Sequence, residues 1–286
     1  PLDFYKKLES AYYHNLARNT KMMAALEEIL EAFNKHHIDV IILKGAYLAP
    51  FVYGDIGLRE MSDLDLLVRK DKLQKAADII KTLGYQQNMP PVSKSHQTQE
   101  HKLNKHLPVF MRDETQVEIH SFLDHSGYQE NFIEKIWSSS IKNEEDHYHY
   151  HQLEHHFLLL HILQHLKHHE SVEQYFLRSY YDIALLISSF GKEIDFEQLN
   201  KINREHFQIP ETEENFRLIN QQFGVTVPEE DKQQFDKTNT FTFLLDKKPV
   251  DKPQVDPWNY QMNRISHFNN PKDKAIYLYH TFFPSK

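Results

Sequence analysis

Asp63 and Asp65 stand two residues apart in Asp63-Leu64-Asp65-Leu66-Leu67-Val68, and that spacing has a chemical consequence. Side chains at i and i+2 of a strand share a face, so the two carboxylates project side by side while Leu64 and Leu66 turn into the core. Carboxylates held that close raise one another's pKa, and a nearby cation relieves the repulsion. Hard oxygen ligands select Mg²⁺ or Mn²⁺. Glu118, in Val117-Glu118-Ile119-His120, alternates with aliphatic residues in the same way and is the candidate third acid. Three convergent carboxylates suit two divalent ions or a general base. Two ions ~3.5–4 Å apart stabilise both the entering and the leaving oxygen of an in-line phosphoryl displacement. Asp63, Asp65 and Glu118 are therefore the candidate catalytic and metal-binding residues.

A site for phosphate chemistry also needs groups that hold phosphate. Lys44-Gly45 closes an apolar run and opens a helix, and a helix N-terminus with a glycine offers free backbone N–H groups to phosphate oxygens. Arg59, four residues before Asp63, is placed to reach a triphosphate or the pyrophosphate product. Lys44, Gly45 and Arg59 are the candidate nucleotide contacts. Singly, each feature has an ordinary structural reading: an Asp-x-Asp caps a turn, a Lys-Gly marks a helix boundary, an Arg anchors a loop. The order carries the argument: strand, glycine turn, helix, arginine, Asp-x-Asp strand, carboxylate strand.

The elements that must position these residues follow from periodicity. Residues 3–35 carry Leu16, Met22, Met23, Leu26, Ile29, Leu30 and Phe33 at mostly helical spacing, which predicts one or two opening helices. Residues 38–43 form a β-branched apolar run expected as a buried strand, and 46–53 a short helix. A loop over 54–60, a strand over 63–68 and an amphipathic helix over 70–83 closed by Gly84 follow. A polar loop is expected at 86–105, then an antiparallel pair, 107–112 and 116–120, turning at Asp113-Glu114. After Asp124 the pattern turns helical, with segments at 153–169 and 175–190 and two more within 196–223. Residues 225–273 read as irregular and 274–283 as a short final element. The expected division is 1–124, an α/β catalytic domain with its opening helices, and 125–286, a mainly helical domain.

Composition bounds the rest. The 286 residues are 40% hydrophobic and 26% charged, the balance of a globular protein. No apolar run approaches the ~18 residues of a membrane helix, and no basic start leads into an apolar core, so neither a membrane span nor a secretory leader is expected. Cysteine is absent, which excludes disulfides and thiolate chemistry and fits a cytoplasmic setting. A net charge of −8 argues against non-specific nucleic-acid binding. Of seven glycines, Gly45, Gly54 and Gly57 cluster before the acidic pair, where the backbone must turn or approach a ligand.

Leu43-Lys44-Gly45, Tyr53, Arg59 and Ser62 to Val68 resemble the signature of the uncharacterised bacterial nucleotidyltransferases of the DNA polymerase β superfamily. The likeness continues through Glu118-Ile119-His120, the His-rich segment from Leu160 to His168, Leu177-Arg178, Asp182-Ile183-Ala184 and Phe283-Pro284-Ser285. The resemblance implies an α+β fold, a minimal polymerase β-like nucleotidyltransferase with a small mixed sheet, flanking helices and a helical C-terminal domain. It implies that Asp63 and Asp65 bind metal, that Glu118 is the third carboxylate, and that Gly45 lies beside a triphosphate. Two departures stand out. The superfamily usually has Gly-Gly or Gly-Ser at the turn, where this chain has Lys44-Gly45-Ala46, and its third acid is usually Asp, where this chain has Glu118.

Twenty histidines make local clusters common, so His161, His165 and His169, although spaced along one helix face, read as structural. His120, on the strand face of Glu118, and His165 and Arg178, further along, are candidate contacts to substrate. Together these features lead us to expect transfer of a nucleoside monophosphate, AMP from ATP, to an acceptor with release of pyrophosphate, using Mg²⁺ or Mn²⁺. The acceptor is open between a small molecule, a protein side chain and a tRNA end. Two other classes share the Asp-x-Asp: a glycosyltransferase using a nucleotide sugar, and a non-catalytic nucleotide-binding module.

Overall fold

The computed structural model describes residues 2–87, 107–123, 130–172, 177–209 and 212–225. Most of the expected loop at 86–105, and the segments expected at 225–273 and 274–283, lie outside them. Two compact units divide the chain after Leu153.

The first unit opens with one uninterrupted helix, α1 (Leu2–Lys35). Its C-terminal half buries Met22, Leu26, Ile29, Leu30 and Phe33, which recur every three or four residues and so form one apolar stripe. The following elements are β1 (Val40–Ile42), α2 (Lys44–Tyr47), which runs on into a π-helical turn at Leu48–Val52, and β2 (Leu64–Val68). A 3₁₀ turn at Lys70–Lys72 leads into α3 (Leu73–Thr82), which Gly84 closes at φ +88°. Next come β3 (Gln86–Gln87), β4 (Phe110–Arg112) and β5 (Thr115–His120), with Asp113 at φ +53° in the β4–β5 turn. Aspartate tolerates that left-handed conformation better than most residues.

A helix and a hairpin complete the unit: α4 (Glu130–Ser139), β6 (Ile141–Glu144) and β7 (His149–Gln152). The hairpin joins the sheet beside β1, in the order β3-β4-β5-β2-β1-β7-β6. It lies beyond residue 124, where the change to a helical pattern set the expected boundary. No strand was expected there, because the edge strand carries the polar residues Lys142, Asn143 and Glu144 and β7 buries chiefly Tyr150.

The sheet is mixed. β1 runs antiparallel to β2 and parallel to β7, while β2 runs parallel to β5. β2 is buried along its whole length, as a central strand covered on both faces must be. α3 packs against α1 and β5.

The second unit contains α5 (His155–Val172), α6 (Leu177–Phe190), α7 (Phe196–Ile202), a π-helical turn at Asn203–Phe207 and α8 (Thr212–Phe223). α6 packs on α5 and α8 and buries Ile183, Leu186 and Ile187. Asp195 caps α7 by accepting hydrogen bonds from Glu197 and Gln198 N–H at 3.0 and 3.1 Å. No helix among the described residues is long and apolar enough to cross a membrane.

Candidate metal centre

The centre of the site is a register. β2 and β5 pair in parallel with Asp65 opposite Glu118 and Leu67 opposite His120. Neighbours across a parallel pair share a face, and residues two apart on a strand do too, so Asp65, Glu118 and His120 converge. One ligand atom from each lies within 4.8 Å of the others. His120 Nε2 is 2.7 Å from Asp65 Oδ1 and 3.5 Å from Glu118 Oε2. Asp65 and His120 are each 1% exposed, whereas Glu118 keeps a fifth of its side chain open.

β1 delivers the next group. The Leu43 N–H donates to the Asp65 carbonyl at 3.0 Å, so the chain leaves β1 level with Asp65. Lys44 follows in the left-handed region at φ +43° and points its side chain inward, where Nζ meets Asp65 Oδ1 at 2.7 Å. Asp65 Oδ1 thus accepts from both Lys44 and His120. Its other oxygen, Oδ2, is buried with no hydrogen-bond donor.

The electrostatics follow from this crowding. Burial alone would push the Asp65 carboxyl up, but the Lys44 ammonium and the His120 hydrogen bond hold it well below the usual carboxylate range. Asp63, half-buried just before β2, moves the other way. Burial and the Asp65 charge raise it, against the opposing influence of Lys44, Arg59 and the 2.8 Å hydrogen bond from Ser62. Burial would lower the Lys44 ammonium, and the charges of Asp65 and Asp63 outweigh it and raise it instead.

A divalent cation fits these residues. An oxyanion buried without a donor is costly unless something positive meets it, and Asp65 Oδ2 lies in that position. The donor set of two carboxylates and an imidazole suits Mn²⁺ or Mg²⁺, and the nitrogen favours the softer ion. The tight cluster is Asp65, Glu118 and His120; Asp63, just ahead of β2, is outside it but near enough for its charge to act on Asp65 and Lys44.

Arg59 and Gly45 meet at the start of α2. A methyl group built on Gly45 would lie 2.7 Å from Arg59 Nη1 and 3.1 Å from Met61 Cγ, so the guanidinium rests against bare backbone at the start of α2. Arg59 is only 7% exposed, because α1 holds its loop in place. Asn19 donates to the carbonyls of Ile56 and Arg59, Tyr12 donates to Asp55 Oδ2 at 3.0 Å, and the Tyr12 ring covers Gly57. No local pattern in the sequence predicts these α1 contacts. The available signal was Asn19 itself, a polar residue on the stripe of Met22 and Leu26, which must find partners when buried. Of the remaining candidates, His165 is half-buried on α5 and Arg178 is exposed near the start of α6, both in the second unit.

The chain is a member of the nucleotidyltransferase superfamily. Within it, the chain belongs to the family described as uncharacterised nucleotidyltransferase, whose model matches residues 1–209. No curated protein matches the chain. Among solved structures, it is similar to the antibiotic-resistance factor ANT(2'')-Ia in solution, at 14% identity and a TM-score of 0.48 over 68% of this chain and 97% of that one. The crystal structure of ANT(2'')-Ia with adenylyl-2''-tobramycin matches at 13% identity and a TM-score of 0.46, over 65% and 99% of the two chains. An antigenic nucleotidyltransferase-like protein from Paracoccidioides brasiliensis matches at 12% identity and a TM-score of 0.38, over 68% and 90%.

Proposed function

We propose that this protein transfers a nucleoside monophosphate, AMP from ATP, to an acceptor hydroxyl or phosphate and releases pyrophosphate. The observation that carries the reading is the β2–β5 register, which stacks Asp65, Glu118 and His120 around a buried carboxylate oxygen without a donor, with Asp63 alongside. A Mg²⁺ or Mn²⁺ ion bound there supplies charge neutralisation for the phosphoryl oxygens. Asp63, Asp65 and Glu118 hold it, with His120 positioned as a nitrogen ligand or as the group that orients Asp65.

The chain's own residues account for the remaining work. Gly45, free of a side chain, makes room for the Arg59 guanidinium at the start of α2, and that cation is proposed to meet a phosphate. Lys44, whose ammonium is paired with Asp65, is proposed as a further cation for the triphosphate. Glu118, the most open of the cluster's three members, is placed to take the proton from the acceptor hydroxyl. The acceptor oxygen bonds to the α-phosphorus, the bond to the β-phosphate oxygen breaks, and pyrophosphate leaves. His165 and Arg178, on the second unit, are proposed as substrate contacts.

The experiment uses ATP labelled at the α- or the γ-phosphate, with Mg²⁺ or Mn²⁺ and three cell-extract fractions: small molecules, protein and RNA. Label from the α-phosphate alone enters one fraction, and the Asp63→Asn protein transfers none. Transfer of γ-label, or full activity in Asp63→Asn, overturns the reading. The fraction labelled identifies the acceptor class.

A further inference from the structure

Two observations at Lys44 are not explained by a phosphate-binding role. Its ammonium is spent on Asp65 Oδ1 at 2.7 Å, with its side chain 11% exposed, rather than presented to the space beside Gly45. Its backbone also holds φ +43°, a left-handed conformation that strains a non-glycine residue. Gly45, the next residue, would take that conformation freely, yet Lys44 carries it. The strained turn directs the side chain inward, over the carboxylate that the metal would need.

Resting on the nucleotidyl-transfer reading, we infer that Lys44 is a positioning residue acting as a tethered cation, which holds Asp65 in place and yields it only when a divalent ion and a triphosphate arrive together. An ammonium on Oδ1 and a dication on Oδ2 of the same carboxylate repel each other at the short distances of a buried site. A metal ion alone therefore meets a penalty on either route: it binds against the Lys44 charge, or it displaces Lys44 from Asp65 and leaves it only the Asp63 and Glu118 charges, which the ion itself neutralises. A triphosphate removes the penalty by offering the released ammonium new oxygens. Metal and nucleotide then bind with positive coupling, and each raises the affinity of the other by the same factor. Such coupling keeps the dication out of the site until its substrate is present.

The signs of the effects separate this role from a structural one. A lysine that merely braces Asp65 would, when removed, leave metal affinity unchanged or weakened. A lysine that competes with the metal would, when removed, leave it strengthened. Mn²⁺ binding is measured by the paramagnetic resonance signal of the free ion, first alone and then with ATP carrying a methylene bridge between its α- and β-phosphates. For the wild-type protein we expect Mn²⁺ to bind at least tenfold more tightly with the analogue, beyond the analogue's own affinity for the ion. For Lys44→Met we expect Mn²⁺ alone to bind at least tenfold more tightly than to wild type, with the coupling reduced. Unchanged or weaker Mn²⁺ affinity in a Lys44→Met protein of native circular dichroism overturns the inference. If that variant does not fold, the wild-type measurement decides: equal Mn²⁺ affinity with and without the analogue overturns it. Neither result touches the nucleotidyl-transfer reading. Failure of wild type to bind Mn²⁺ even with the analogue removes both.

Discussion

Asn19, in the middle of the opening helix, donates its side-chain amide to the main-chain carbonyl of Arg59, forty residues on, at 2.7 Å. The same amide reaches the Ile56 carbonyl, so one buried side chain pins both ends of the turn that carries the arginine to Gly45. Replacing Asn19 with Leu leaves two carbonyls without a donor inside the protein, a loss of about 2 kcal/mol. Denaturant unfolding reads that loss, and ATP affinity falls with it as Arg59 loses its fixed position. A variant of wild-type affinity would show that Arg59 does not depend on this anchor.

The two aspartates predict opposite stability effects. Asp63 is disfavoured as an anion first by burial and then by the charge of Asp65, so Asp63→Asn removes both penalties and raises the melting temperature of the metal-free protein. Asp65 is the partner of buried Lys44, and Asp65→Asn leaves that ammonium uncompensated, at about 3 kcal/mol. Both substitutions abolish nucleotidyl transfer. Thermal melts of the two variants settle the matter, and a drop in both would contradict the assigned electrostatics.

The pH dependence follows from the same pair. Asp65 has a depressed carboxyl, so its contribution to stability is complete above the ordinary carboxylate pKa and is lost as pH falls through the depressed value. The deficit of Asp65→Asn therefore shrinks in strong acid. Asp63 has a raised carboxyl, so its ionised form weakens the fold above that raised value and protonation relieves the fold as pH falls. The advantage of Asp63→Asn is therefore largest near pH 8 and disappears as pH approaches the ordinary Asp value of about 4. Urea titrations from pH 8 to 3 test both trends, and a constant advantage for Asp63→Asn would refute the crowding argument.

Gly45→Ala tests the phosphate cradle. The added methyl meets the tip of the Arg59 side chain, a flexible group, and Met61 Cγ at 3.1 Å, so the fold adjusts with a change of about 1 kcal/mol or less. The displaced guanidinium weakens ATP binding at least tenfold by calorimetry. Unaltered ATP affinity would mean that the triphosphate lies elsewhere.

Local pattern made much of the site legible. The Asp63 to Val68 alternation, the Gly45 turn and the helix closed by Gly84 all appear near their expected positions, because strand period and glycine conformation are properties of short segments. Glu118 and His120 were readable as one strand face for the same reason. Lys44 was expected on a triphosphate, and the structure places it on Asp65. The β6–β7 hairpin went unread, since its edge strand carries polar residues and its pairing with β1 spans a hundred residues of chain.

By itself the sequence determined which side chains share a face, where the chain turns and which chemistry those residue types can support, since each depends on neighbours within a few positions. Only the tertiary structure decided that Asp65 faces Glu118 rather than another strand, that His120 and Lys44 converge on one carboxylate oxygen, and that Asn19 holds the Arg59 loop. Those facts depend on strand order and register between distant segments, which are chosen by the packing of the whole core rather than by any local pattern.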